Sequence, residues 1–359
     1  MMQRKFFTFL CLMLSIALYA QQQIDLLVGT YTDGSSCGIY SYQFDQLTGK
    51  ATPRDSLVLK NPSFLTFSAD KRLIYAVGET DSKPSLNIVR FDRSNGHLQR
   101  LESIPTEGAS PCYVSTNGKL ALTANYSGGS VSVFELQKNG TKGALVQRFL
   151  GTLGGSDLSR QEKPHMHCAL FAPDGKFVLA TDFSADRICS YRIKGNRLIA
   201  NGLAAKISDS SGPRHLTFSP NGKFCYLISE LSGKVTVFSY RDGRLKELQT
   251  VVSDSAEARG AGDIHLSPDG KFLYSSNRLK NDGITIFSVD ENTGKLTPVG
   301  YQPTGIHPRH FNITPNGRYL LCACRDSGKI QVFLRDPKTG LLSDTHQDIL
   351  IDKAVCVQF

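Results

Sequence analysis

Residues 212–229 read GPRHLTFSPNGKFCYLIS. His215 to Ser219 alternate apolar and polar, the pattern of a half-buried strand. Asn221-Gly222 is a hairpin signal, and KFCYLIS is a second strand returning from it. Moving outward, a polar turn leads to a third strand, KVTVFSY at 234–240. The same phrase recurs as FSADKRLIYAV, STNGKLALTAN, APDGKFVLATD, SPDGKFLYSSN and TPNGRYLLCAC. Its turn residue falls at Asp70, Asn117, Asp174, Asn221, Asp269 and Asn316, with spacings of 47, 57, 47, 48 and 47 residues. Periods of this length mark solenoids or propellers, and four antiparallel strands per unit make a propeller blade. The opening LLVGTYTDGSSCGIYSYQFD (26–45) matches the second and third strands of a unit. The segment after Gly340 supplies what that unit lacks, so both termini share one blade and the ring closes without a free sheet edge. The expectation is an all-β, seven-bladed β-propeller with four-stranded antiparallel blades over residues 24–359, with six or eight blades as the alternatives.

The 359 residues would suit two ordinary domains, but the repeat assigns them to one architecture. A 40% hydrophobic content supports a buried core and argues against disorder. The formal charge is +9; without Arg4 and Lys5 it is 39 − 32 = +7. The basic residues are scattered rather than clustered, which excludes nucleic acid as a partner. Arg4 and Lys5 precede an apolar run, Phe6 to Ala17, of signal-peptide length and too short to span a membrane. Residues 1–20 are therefore expected to be a cleaved signal peptide that directs a periplasmic or secreted protein, with an uncleaved anchor as the alternative. Cys11 lies within the apolar run, and the other eight cysteines show no CxxC pair and no disulfide-scaffold density. They read as buried small hydrophobes, with Cys322 and Cys324 on one side of a strand.

Aligning the six phrases on their turns locates functional residues without homologues. The column that begins the innermost strand reads Ser63, Ser110, His167, Arg214, Gly262 and Arg309. The column that ends the second strand reads Glu79, Tyr126, Phe183, Glu230, Arg278 and Arg325, preceded by Gly78, Asn125, Asp182, Ser229, Asn277 and Cys324. The two strands are antiparallel, so both columns converge on one rim of the central channel. Charge gathered there needs partners or a ligand, and its arginines favour a carboxylate or phosphate. A ring of salt bridges between blades is the structural alternative. The 57-residue spacing adds about ten residues between Lys138 and Pro164, on the same rim, where a specificity loop is expected.

His165 with His167, and His307 with His310 around Pro308-Arg309, raise the question of a metal. No third ligand is evident and the neighbouring arginines repel a cation, so the expectation is no metal and no cofactor. His215 and His265 are expected to pack within their strands, with Asp263 orienting His265. The chain has no GxSxG element, no phosphate loop and no dinucleotide fingerprint.

GPRHLTFSPNGKFCYLISEL, DIHLSPDGKFLYSSNR, HPRHFNITPNGRYL and the opening VGTYT together resemble the lactonase propeller family, which includes bacterial propeller-type 6-phosphogluconolactonases and the fungal carboxymuconate lactonising enzyme. The likeness spans nearly all the chain after residue 20. It implies lactone chemistry without a required metal. The fungal member's active set of one His, two Arg and one Glu falls on His167, Arg214, Arg278 and Glu230, and Arg309 matches a further Arg of the bacterial enzymes. The expected roles follow from chemistry. His167 is the general base, because imidazole titrates near neutrality. Glu230 orients His167 or shares the proton work, and Arg278 and Arg214 hold the oxyanion and the substrate's anion. Arg309 and Asn277 position the substrate, and Glu79 and Tyr126 complete the substrate-binding rim. The expected partner is a small anionic sugar lactone, acted on by a monomer. Lactonisation at the same site is the alternative reaction, and an exported non-enzymatic propeller that binds a carboxylate, a sugar or a protein is the alternative class.

Overall fold

In the computed structural model, which describes residues 22–151 and 153–359, seven antiparallel sheets follow one another around a channel. The expected signal segment, residues 1–20, lies outside the described residues. Blade 1 joins the two ends of the chain: Ala354–Gln358 is innermost, followed outward by Gln23–Thr30, Gly38–Asp45 and Ala51–Val58. Blades 2 to 7 begin at Leu65–Phe67, Pro111–Thr116, Met166–Phe171, Pro213–Phe218, Ala261–Leu266 and Pro308–Ile313, and each runs from the channel to the outside. Leu27 opposite Gln358 and Gly29 opposite Cys356 close the ring. No helix among the described residues is long and apolar enough to cross a membrane.

The repeated phrase builds a side-chain-locked turn. In blade 5, Ser219 Oγ donates to Asn221 Oδ1 (2.7 Å) and accepts the N–H of Phe224 (2.9 Å), while Asn221 Oδ1 accepts the N–H of Lys223 (3.0 Å). Gly222 takes φ +67° there, a left-handed value that suits glycine. The second strands of blades 2 to 7, such as Phe224–Ser229, are buried along their whole length. Their side chains pack across blade boundaries, as where Tyr226 and Ile228 of blade 5 share a cluster with Ile264 and Leu273 of blade 6.

One departure from regular pairing positions the site. The innermost strands carry a bulge near their first residue: Met166/Cys168, Pro213/His215, Ala261/Ile264 and Pro308/His310. A bulge inserts an extra residue and re-aims side chains. Here the inserted residues include His167, Arg214 and Arg309. Blade 3 has the same bulge at Pro111/Tyr113. Its rim position is therefore Cys112, not Ser110, because its stretch from bulge to turn is two residues shorter than in blade 5.

Candidate active site

The bulge residues and the ends of the second strands meet at one mouth of the channel. Its centre is Glu230, buried at the end of Phe224–Ser229. Glu230 Oε2 accepts from Arg214 Nε (2.9 Å) and lies 3.2 Å from Arg278 Nη2, while Oε1 accepts from Arg160 Nη2 (2.8 Å). Burial alone would raise the carboxyl pKa, but three guanidinium groups reverse this and hold it down to about 2. Glu230 is thus ionised at physiological pH. Both of its oxygens are engaged by arginines.

Arg214 is 1% exposed, and its Nη1 also donates to Gly262 O at 2.8 Å. Arg278 donates from Nε to Gly260 O (2.7 Å) and from Nη2 to Ala261 O (3.1 Å), and its Nη1 lies 3.2 Å from His307 Nε2. Burial and the neighbouring arginines work against the charge of Arg278, and Glu230 works for it. Across the mouth, Glu79 accepts the Tyr31 hydroxyl at 3.1 Å on each oxygen and the Ser63 hydroxyl on Oε2. Arg309 sits 3.9 Å from Glu79 and lies over the Tyr31 ring. Burial would lower its pKa, but Tyr31 and Glu79 raise it.

His167 is 4% exposed, with Cys112 Sγ 3.7 Å from its Nδ1 and the Tyr126 and His215 rings edge-on to it. Burial, then Arg214, His215 and Arg309, hold its pKa well below the usual imidazole range. It is therefore neutral at physiological pH and free to accept a proton, although its surroundings make it a weaker base than the near-neutral imidazole expected from the sequence. Tyr126 stacks on His165 at 4.1 Å.

Asn277 differs from the expectation. It accepts from Ser253 Oγ (3.1 Å) and donates to Ser253 O (3.0 Å) and Thr285 Oγ1 (2.9 Å), which lie in the connection from blade 5 and in its own blade. Strand alternation explains this: Arg278 faces the channel, so its predecessor faces away. Asn125, bonded to Ser130 and Ser132, and Asp182, paired with Arg187, occupy the same position in their blades. The column is a structural device. Arg325 pairs with Asp326 beside it rather than with the central cluster.

Two residues, Tyr31 and Arg160, were missed in the sequence, and a third, His307, was weighed there only as a metal ligand. Tyr31 ends the second strand of blade 1, so extending the Glu230 column to VGTYT finds it. His307, beside Arg278, takes φ +62°; burial first, and then Arg278, lowers its pKa to about 2. Arg160 comes from the expected insertion. That connection occupies residues 151–165, against residues 207–212 at the equivalent place one blade on. It folds over the mouth through an Asp157–Arg259 ion pair, a Ser156–Ser210 hydroxyl bond (2.9 Å) and buried Gln161, which donates to Phe183 O (2.8 Å). Loop length was readable in the sequence, but which of its side chains enters the site was not.

The mouth thus presents Arg160, Arg214, Arg278 and Arg309 against Glu79 and Glu230, with two neutral buried imidazoles, His167 and His307, among them. Comparison with known proteins concerns the chain as a whole. Residues 25–359 match the model of the family described as "Lactonase, 7-bladed beta-propeller". A 6-phosphogluconolactonase of Bacillus subtilis is 33% identical over 341 residues, 92% of this chain and 97% of that protein. Among solved structures, a candidate 6-phosphogluconolactonase of Bacteroides uniformis is 57% identical, with a TM-score of 0.93 over 94% of this chain and 99% of that one. A periplasmic gluconolactonase of Pseudomonas aeruginosa is 35% identical, with a TM-score of 0.87 over 94% and 99% of the two chains.

Proposed function

Because this chain belongs to the family of seven-bladed lactonase propellers, we propose that it is a lactonase that opens a sugar-acid lactone to its hydroxy acid at the arginine-lined mouth. The observation that carries this reading is a buried neutral His167 within a ring of guanidinium groups whose charge Glu79 and Glu230 only partly offset. Water attacks the lactone carbonyl as His167 accepts a proton from it. The carbonyl electron pair moves onto oxygen, where Arg214 and Arg278 face the developing charge. On collapse the ring C–O bond breaks and the alkoxide takes the proton back from His167. The product carboxylic acid then releases one proton to solvent, and its carboxylate remains among the arginines until it leaves.

The basic and apolar N-terminal segment supports export, so the enzyme acts outside the cytosol as a monomer. Its substrate there is a lactone with an anionic substituent, which accounts for the excess of arginines. Turnover of 6-phosphogluconolactone, gluconolactone and a carboxylated lactone, corrected for spontaneous hydrolysis, tests the reading. Hydrolysis with the charged lactones preferred is the expected result; no turnover of any lactone overturns it and returns the binding-protein alternative.

A further inference from the structure

The two sides of the mouth differ in charge. Around Glu230, three guanidinium groups meet one carboxylate. On the other side one guanidinium, Arg309 of blade 7, meets one carboxylate, Glu79 of blade 2. The two sides also differ in bonding. Arg160, Arg214 and Arg278 all donate hydrogen bonds to Glu230 or to backbone carbonyls. Arg309 has no hydrogen-bond partner among the described residues: its Nη2 stands 3.9 Å from Glu79 Oε1, and its guanidinium lies over the Tyr31 ring, 5.2 Å from the centroid.

We propose that Glu79 and Arg309 together form a subsite for a neutral ring hydroxyl of the substrate, which makes them specificity residues for a polyhydroxylated lactone. The assignment rests on the lactonase reading and names its substrate class. Groups 3.9 Å apart are beyond a direct hydrogen bond. One oxygen about 2.8 Å from each reaches both. A hydroxyl suits that place because it donates and accepts at once. It accepts from Arg309 Nη2 and donates to Glu79 Oε1. A bare ring carbon there would leave both charges unpaired. A phosphate or carboxylate would accept from Arg309 but face Glu79 oxygen to oxygen, with no proton between them. The anionic substituent therefore belongs on the Glu230 side, and the hydroxylated face of the ring on this one.

The fold holds Glu79 in place for this. Its N–H donates to Asn61 O (2.9 Å), and Asn61 Nδ2 donates to Glu79 O (3.1 Å). Its carboxylate accepts the hydroxyls of Tyr31 and Ser63. Burial raises the Tyr31 pKa, Arg309 opposes the shift and Glu79 adds to it, so the phenol keeps its proton for Glu79. Two hydroxyl protons do not fill a carboxylate, which offers about four lone-pair sites. Oε1 shares only the Tyr31 proton, and Oε1 is the oxygen that faces Arg309. A salt bridge between blades is the competing explanation. The bonds to Glu230, at 2.8 and 2.9 Å, show how closely such a bridge draws together in this ring, and Arg309 makes no bond of that kind.

Glucono-δ-lactone, its monodeoxy analogues and δ-valerolactone, which has no hydroxyl, test the proposal, with each rate corrected for spontaneous hydrolysis. Removing one of the ring hydroxyls should cost the wild-type enzyme about 10- to 100-fold in kcat/KM, as loss of a hydrogen bond to charged groups does. In Arg309→Met the same removal should cost about threefold or less, because the enzyme change and the substrate change delete one interaction and do not add. Glu79→Gln should shrink the cost in the same direction and serves if Arg309→Met does not fold. Additive losses in a folded variant overturn the proposal. So does a wild-type enzyme that turns over every analogue as fast as glucono-δ-lactone, and that result decides the matter even if neither variant folds. Absence of turnover counts against the lactonase reading alone, and calorimetry with gluconate and hexanoate then reads the subsite. Gluconate bound about tenfold more tightly or better, as a hydrogen bond to charged groups provides, keeps it. Equal binding, or none, removes it.

Discussion

Blades 4 to 7 and blades 1 to 3 share one backbone plan but carry different chemistry at equivalent places. At the bulge, blades 4, 5 and 7 hold His167, Arg214 and Arg309, and blade 6 holds Gly262. The matching residues of blades 1 to 3 are Val355, Ser63 and Cys112. At the end of the second strand, blades 5 and 6 supply Glu230 and Arg278, whereas blades 1 to 3 supply Tyr31, Glu79 and Tyr126. Glu230 is held by three arginines, and Glu79 by two hydroxyls and one distant arginine. The bulge therefore belongs to the scaffold, and function comes from the residue placed on it.

The sharpest test of that difference is His167→Ala, which should lower kcat by about 10²–10⁴-fold if this bulge residue is the base. Val355→Ala, at the same place in blade 1, should lower the melting temperature and leave kcat unchanged. Equal kinetic effects at both positions would remove the distinction between the two halves of the ring.

Glu230→Gln should rank next. It strips the counter-charge from three buried or half-buried arginines, and breaking a buried pair costs about 3–5 kcal/mol. Glu79→Gln should cost less, as read by denaturant unfolding. Acid should expose the same interior. Glu230 titrates near 2 in the fold against 4.5 as its ordinary value, and His215 and His310 near 4 and 3 against 6.5. All three folded values lie below the unfolded ones, so their contributions are complete at neutral pH. The histidine contributions fade as pH falls from 6.5 toward 3, and that of Glu230 fades from 4.5 toward 2. Stability that stays flat between pH 7 and pH 4 would contradict these buried neutral imidazoles.

Asn277→Ala beside Arg278→Ala separates scaffold from site within a single dipeptide. The first should cost about 1–3 kcal/mol of stability through lost buried hydrogen bonds, with KM unchanged. The second should act on kcat/KM.

The residues also show why some of this was legible in the sequence and some was not. The turn phrase carries its own local chemistry, a Ser or Thr and an Asn or Asp that lock the loop, so blade number and ring closure could be read from spacing. The rim columns of blades 4 to 7 followed, because those blades keep one length from bulge to turn. Blade 3 is two residues shorter, which misplaced its column at Ser110. Strict alternation also fails at a bulge. Arg214 and His215 both reach the channel, and so do Arg309 and His310, whereas His215 was expected to pack within its strand. Asn277 was misread in the opposite sense, taken for a rim residue because it precedes one.

Arg160 is where the comparison yields its smallest expected effect. Arg214 stands on a strand, 2% exposed along its side chain, and is held by Glu230 and Gly262; Arg160 stands on the blade 3–4 connection, 38% exposed, and reaches the site through Glu230 Oε1, the Tyr126 hydroxyl and the Phe183 ring. A strand arginine is fixed before substrate arrives, whereas a loop arginine can exchange Glu230 for an anion on the substrate. Arg160→Ala should therefore raise KM about tenfold, roughly 1.4 kcal/mol, for a phosphorylated or carboxylated lactone. For uncharged gluconolactone, KM and kcat should hold. An equal loss with both substrates would mean that Arg160 serves the shared chemistry through Glu230, and the insertion would then belong to the catalytic frame rather than to substrate choice.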